Sequence, residues 1–125
     1  MKYVAALSLI VGAALGAGAV EGLHAQGTPP VYQVTLQQVS DAESFTKEFV
    51  PAARAAVEKF GGQPLAASAP LTVEGTTSFS RAAINIWPGL EQVHAWYLSP
   101  EYKSAREIGD KYAKFEIFLI QGIAQ

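Results

Sequence analysis

Residues 31–62 read VYQVTLQQVSDAESFTKEFVPAARAAVEKFGG, and within them the spacing of apolar side chains changes once, from every second residue to every third or fourth. Val31 to Val39 is rich in β-branched residues and alternates, with Tyr32, Val34 and Leu36 on one face and Gln33, Thr35 and Gln37 on the other. That is the period of a half-buried strand, whose successive side chains point to opposite sides. Ser40 stands three residues before Glu43, a capping-box spacing in which each side chain satisfies a free backbone N–H at a helix start. Phe45, Phe49, Ala52, Ala56 and Phe60 then form one stripe at helical spacing, while Lys47, Glu48, Arg54 and Glu58 fall elsewhere. Gly61-Gly62 ends the helix, because glycine takes the left-handed conformation that closes a helix C-terminus.

The same reading extends toward the C-terminus. Gln63 to about Val73 predicts a second strand, placed at an edge or interrupted because Pro64 and Pro70 cannot donate to a sheet ladder. Gly75 to Ser80 is a polar loop, and Arg81 to Trp87 is a third strand, with Ala82, Ile84 and Ile86 alternating against Arg81, Ala83, Asn85 and Trp87. A short helix from Leu90 to Leu98 stops at Ser99-Pro100, where Ser99 caps a further helix and Pro100 enters its first turn. That helix is predicted to run to about Lys114, before a last apolar strand from Phe115 to Ile120. The order is β-α-β-β-α-β with a split second helix, a ferredoxin-like α+β fold.

Toward the N-terminus, Lys2 is followed by an uncharged run from Tyr3 to Val20 and then by Leu23-His24-Ala25-Gln26. A positive residue, an apolar stretch and a small residue before a cleavable bond are the parts of an export signal. We therefore expect residues 1–25 to be a signal peptide and residues 26–125 to be one domain, periplasmic or secreted. The alternative is an uncleaved anchor, since about 18 uncharged residues approach the ~20 that cross a bilayer. A membrane partner is expected only in that case.

The formal net charge of −2 supplies no basic field for nucleic acid. The chain has no cysteine, which removes disulfides, thiol catalysis and thiolate metal ligands. With His94 the one histidine beyond the signal, and no carboxylate cluster visible, we expect no metal and no cofactor. Gly61-Gly62 ends a helix instead of opening one, so it is not a phosphate loop.

Four strands with helices on one side leave a bare sheet face. We expect that face to carry Gln33, Thr35 and Gln37 together with Asn85 and Trp87. Two such faces meeting would give a dimeric α+β barrel with a partly polar interior, since a small domain gains by covering a sheet. A solvated face is the plainer alternative.

Gly61-Gly62 with Leu65, Glu74-Gly75, Arg81, Leu90-Glu91, Trp96-Tyr97-x-Ser99-Pro100-x-Tyr102 and Gly122 resemble the domain-of-unknown-function family 1330. The resemblance covers about Tyr32 to Gly122 and implies membership of the dimeric α+β barrel superfamily. That superfamily includes cofactor-independent monooxygenases, haem-degrading enzymes, muconolactone isomerases and stress-induced proteins. The chain also departs from the family pattern. Gln63 replaces a common arginine after the glycine pair, Gly109 replaces another in the last helix with Arg106 one turn earlier, and Pro88-Gly89 stands where Pro-Ser is usual.

Ligand-pocket candidates are Asn85, Trp87, Arg81 and Tyr102, each with a structural alternative in core or rim packing. No catalytic residue is assigned. His94 lies two residues from Trp96, on a different helix face, and is expected to face solvent. Glu74 and Glu116 are not brought together by spacing, and Ser78 and Ser80 lack a nucleophile-elbow context. Two function classes remain: an exported small-ligand-binding or stress-related dimer holding a small hydrophobic or aromatic molecule, and a cofactor-independent monooxygenase- or isomerase-like enzyme acting on an aromatic or lactone substrate.

Overall fold

The computed structural model describes residues 28–124. The expected signal peptide, residues 1–25, lies outside them. Among the described residues the elements are β1 (Val31–Val39), α1 (Ala42–Ser44), a π-helical turn (Phe45–Phe49), α2 (Val50–Lys59), β2 (Gln63–Ser68), β3 (Arg81–Trp87), α3 (Leu90–Tyr97), α4 (Pro100–Gly109) and β4 (Ala113–Gln121). The strands form one antiparallel sheet in the order β2-β3-β1-β4, the ferredoxin-like α+β arrangement.

The first helical segment starts at a different cap from the one its sequence suggests. Asp41 is the N-cap, in extended conformation, and its carboxylate accepts the Ser44 backbone N–H at 3.1 Å. Ser40 instead donates its hydroxyl to the Tyr112 carbonyl at 3.0 Å, tying the end of β1 to the turn before β4. The π-helical turn precedes Pro51, which has no N–H to continue the α-helical ladder. Widening the turn moves the pattern to Val50, whose N–H reaches back five residues to the Phe45 carbonyl.

The glycine pair closes α2 for two separate reasons. Gly61 has φ +96°, a conformation that side chains rarely adopt. Gly62 is needed for space, since a Cβ there would lie 2.7 Å from Val57 Cγ1 and 2.8 Å from Trp87 Cε2.

Two boundaries are corrected. Strand β2 ends at Ser68 and bulges between Pro64 and Ala66, where the missing proline donor interrupts pairing with β3. Leu71 and Val73, read as strand continuation, stand almost fully exposed in the following loop. Helix α4 ends at Gly109, before Lys114, and the turn Asp110 to Tyr112 admits β4 two residues ahead of Phe115. Ser99 caps α4 as expected, accepting the Tyr102 N–H at 3.1 Å.

The largest correction concerns the two faces of the sheet. Gln33, Thr35 and Gln37 are 3%, 6% and 3% exposed and lie under the helices. Pairing places Asn85 beside Gln33, Ala83 beside Thr35 and Arg81 beside Gln37 on that same covered face, with Trp87 beside Val31. The bare face carries Tyr32, Val34 and Leu36 with Ala82 and Ile84, and from β4 Phe118 (43% exposed) and Ile120 (52%). Alternation separates two faces without saying which is covered. Here the polar row goes inside because its groups find hydrogen-bond partners there.

Candidate functional site

The inward polar row is the floor of a cavity of about 400 Å³ between the sheet and the helices, within the range of small-molecule sites. From β1 come Gln33, Thr35 and Gln37, from β3 Arg81, Ala83 and Asn85, and from β4 Phe115 and Ile117. The wall above is Phe49, Val50, Ala53 and Val57 with Trp96 and Tyr102, and Pro64 to Ala67 of the edge strand border it. Small residues make the space: Ala83 pairs with Thr35, and Ala53 stands on the helix wall. Arg54 and Leu65, both exposed, stand at the rim.

The floor is rigid because its amides are tied together. Gln33 Oε1 accepts from Trp87 Nε1 at 2.9 Å and from Asn85 Nδ2 at 3.1 Å, which uses both acceptor positions. Gln33 Nε2 donates to Thr35 Oγ1 at 2.8 Å, which leaves the threonine O–H free to donate. Further along, Arg81 donates through one terminal nitrogen to Gln37 Oε1 at 2.6 Å, and its guanidinium carbon lies 5.4 Å from the Phe45 ring centre. Partial burial pulls Arg81 below the ordinary arginine value, though arginine stays charged at any ordinary pH.

The wall is aromatic. Trp87, Trp96 and Tyr102 pack in series with mutually tilted rings, their centres 5.3 and 4.3 Å apart. Trp96 is 2% exposed, and its indole N–H has no partner among the described residues. A buried donor of this kind is uncommon in folded proteins. Burial lifts the Tyr102 hydroxyl above the usual tyrosine value, partly offset by the hydrogen bond that it accepts from Arg106 at 2.9 Å. Arg106 also packs over Phe115, with 4.1 Å from its guanidinium carbon to the ring centre.

Of the four residues singled out by sequence, Arg81, Asn85 and Tyr102 line the cavity. Trp87 does not. It is fully buried in the apolar cluster with Val31, Val57, Val93 and Trp96, and holds Gln33 from behind. The sequence reading does not place Gln33, Thr35 and Gln37 in the cavity. The signal was present in β1 as three polar residues at alternate positions, assigned to the opposite face. His94 is exposed, at the rim of a second cavity of about 380 Å³ between α3, α4 and β4.

No group of three or more His, Cys, Asp or Glu side chains able to hold a metal occurs among the described residues. The lining residues of the first cavity include no carboxylate and no histidine.

The fold and this cavity define an α+β ferredoxin-like domain with a partly polar chamber under its helices. The chain belongs to the family described as Domain of unknown function (DUF1330), whose model matches residues 30–123. No match was found among curated proteins. Among solved structures, a protein of unknown function from Rhodopseudomonas palustris is similar at TM-score 0.65 and 12% identity, over 86% of this chain and 94% of that one. SnoaB, a cofactor-independent oxygenase from Streptomyces nogalater, is similar at TM-score 0.59 and 16% identity, over 78% and 97%. A dimeric protein of unknown function and ferredoxin-like fold from Bacteroides fragilis matches at TM-score 0.50 and 14% identity, over 74% and 95%. At these identities the likeness concerns the fold.

Proposed function

We propose that the protein is an exported, self-associating domain that binds a small, flat, largely apolar molecule between its sheet and its helices. The observation that carries this reading is the burial of Gln33, Thr35 and Gln37 beneath the helices around a chamber with small residues at its centre. A domain stabilised by packing alone would fill that layer with apolar side chains. Export is supported by the order of charge, apolar run and small residue in residues 1–25. Self-association is supported by the bare apolar sheet face and by the dimeric state of the Bacteroides fragilis neighbour.

A second reading makes the domain a cofactor-independent monooxygenase or isomerase acting on an aromatic or lactone substrate. It is favoured by the convergence of Asn85, Thr35 and Arg81 on one chamber and by the fold shared with SnoaB, an analogy of fold. The lining holds no carboxylate or histidine, so this chemistry would draw its base from Tyr102, water or the substrate itself.

Native mass spectrometry of protein purified from an envelope fraction, without added ligand, tests the first reading. A dimer of chains beginning at Gln26 and carrying extra mass is the expected result. An empty monomer retaining residues 1–25 would overturn it. Oxygen consumption, or conversion of the released molecule into an isomer, in the presence of the protein separates the two readings.

A further inference from the structure

Arg81 is the feature of the chamber that simple apolar binding leaves unexplained. The charged side chains lining the cavity are Arg54 and Arg81, both cationic. Arg54 is largely exposed and already paired with Glu58 at 3.3 Å. Arg81 takes part in none of the ion pairs among the described residues. It is held instead by Gln37 Oε1 and the face of Phe45, two buried neutral groups that orient the guanidinium without neutralising it.

A partly buried cation lacking a counter-ion is costly, and the cost is relieved when a bound anion supplies one. The forked N–H donors of arginine suit a planar anion such as a carboxylate. On β3, Arg81, Ala83 and Asn85 share the covered face, so the Cα atoms of Arg81 and Asn85 lie about 13 Å apart along the strand. A flat ring system over Ala83 fits between a charged end and an amide end.

From this geometry, and resting on the ligand-binding reading above, we infer that the chamber selects an anionic molecule, a flat apolar body bearing a carboxylate or phenolate oxygen that pairs with Arg81.

The test is a matched pair of probes, 2-naphthoate and the neutral 2-naphthamide, titrated against the full domain by isothermal calorimetry. Wild type should bind naphthoate at least about tenfold more tightly, the scale of one charge-assisted hydrogen-bonded pair. Arg81→Gln should collapse that preference to about twofold or less, whereas Arg54→Gln should keep it. Arg81→Lys keeps the charge without the fork and should show a reduced preference, which serves if the glutamine variant does not fold. Equal binding of both probes by wild type, or a preference that survives Arg81→Gln, would overturn the inference while leaving the ligand chamber in place. Failure of both probes to bind would overturn the chamber reading with it.

Discussion

Trp87 Nε1 and Gln33 Oε1 lie 2.9 Å apart across the β1–β3 ladder, and Asn85 Nδ2 shares the same oxygen at 3.1 Å. One buried amide therefore fixes a core indole and a cavity side chain at once. The apolar core and the chamber are mechanically joined at Gln33.

Gln33→Leu should accordingly destabilise the domain by about 2–3 kcal/mol, because a fully buried indole N–H and a partly buried amide lose their acceptor together. Urea unfolding followed by tryptophan fluorescence measures the loss. An effect within experimental error would mean that water replaces the amide.

Gly109→Ala tests the departure from the family pattern in the last helix. A Cβ at this position would lie 2.6 Å from Phe49 Cδ1 and 2.9 Å from Phe115 Cζ. Overpacking should cost about 1–3 kcal/mol, despite alanine's better helix propensity. A stabilised variant would show that the two rings yield freely.

Removing the cap of α4 by Ser99→Ala should cost about 1–2 kcal/mol. The hydroxyl accepts the Tyr102 N–H at 3.1 Å and donates to the Trp96 carbonyl at 2.7 Å. The same change should loosen the aromatic wall, so near-ultraviolet circular dichroism should weaken more than the far-ultraviolet signal.

Alkaline pH should weaken the domain through Tyr102, whose folded ionisation is raised chiefly by burial. A tyrosine with a raised folded pKa contributes stability that is fully present below its unfolded value of about 10 and disappears as pH rises through the folded one. Denaturation midpoints measured upward from neutrality should hold steady and then fall above about pH 10. The fall attributable to this residue should vanish in Tyr102→Phe. Tyr112 is also raised, by its hydrogen bond to Glu48, so both proteins should carry Tyr112→Phe.

Placing a charge on the bare sheet face should disperse the proposed dimer. Val34 pairs with Ile84 and Phe118 at the middle of that face, so Val34→Lys should yield a monomer by native mass spectrometry with the fold retained. A variant still dimeric would show that the contact lies elsewhere.

Much of the architecture was legible because period and punctuation agreed. The change of spacing between Val39 and Phe45, the glycines at 61 and 62 and Ser99-Pro100 each mark a real boundary. The helix start was misread because Ser40 and Asp41 are both good caps, and tertiary contact with Tyr112 decides between them. The chamber was half legible. Arg81, Asn85 and Tyr102 do line the cavity, but the sequence reading places Asn85 with Gln33, Thr35 and Gln37 on the open side, because polarity usually marks solvent. Which face of a two-faced strand is covered depends on contacts distant in sequence, and β1 uses its apolar side for the bare surface.

Strand order leaves β2 and β4 as the two edges of the sheet, and they differ in how they meet the problem of unwanted polymerisation. Pro64 and the bulge beside it spoil β2 as a template for another strand. No proline or bulge interrupts β4, which runs nine residues through Phe115-Glu116-Ile117-Phe118-Leu119-Ile120 with one charge inside that stretch. Such a segment has the composition of an amyloid-forming steric zipper. Lys114 and Glu116 act as its gatekeepers, so their loss should shorten the soluble lifetime of the concentrated protein before it alters the folded domain.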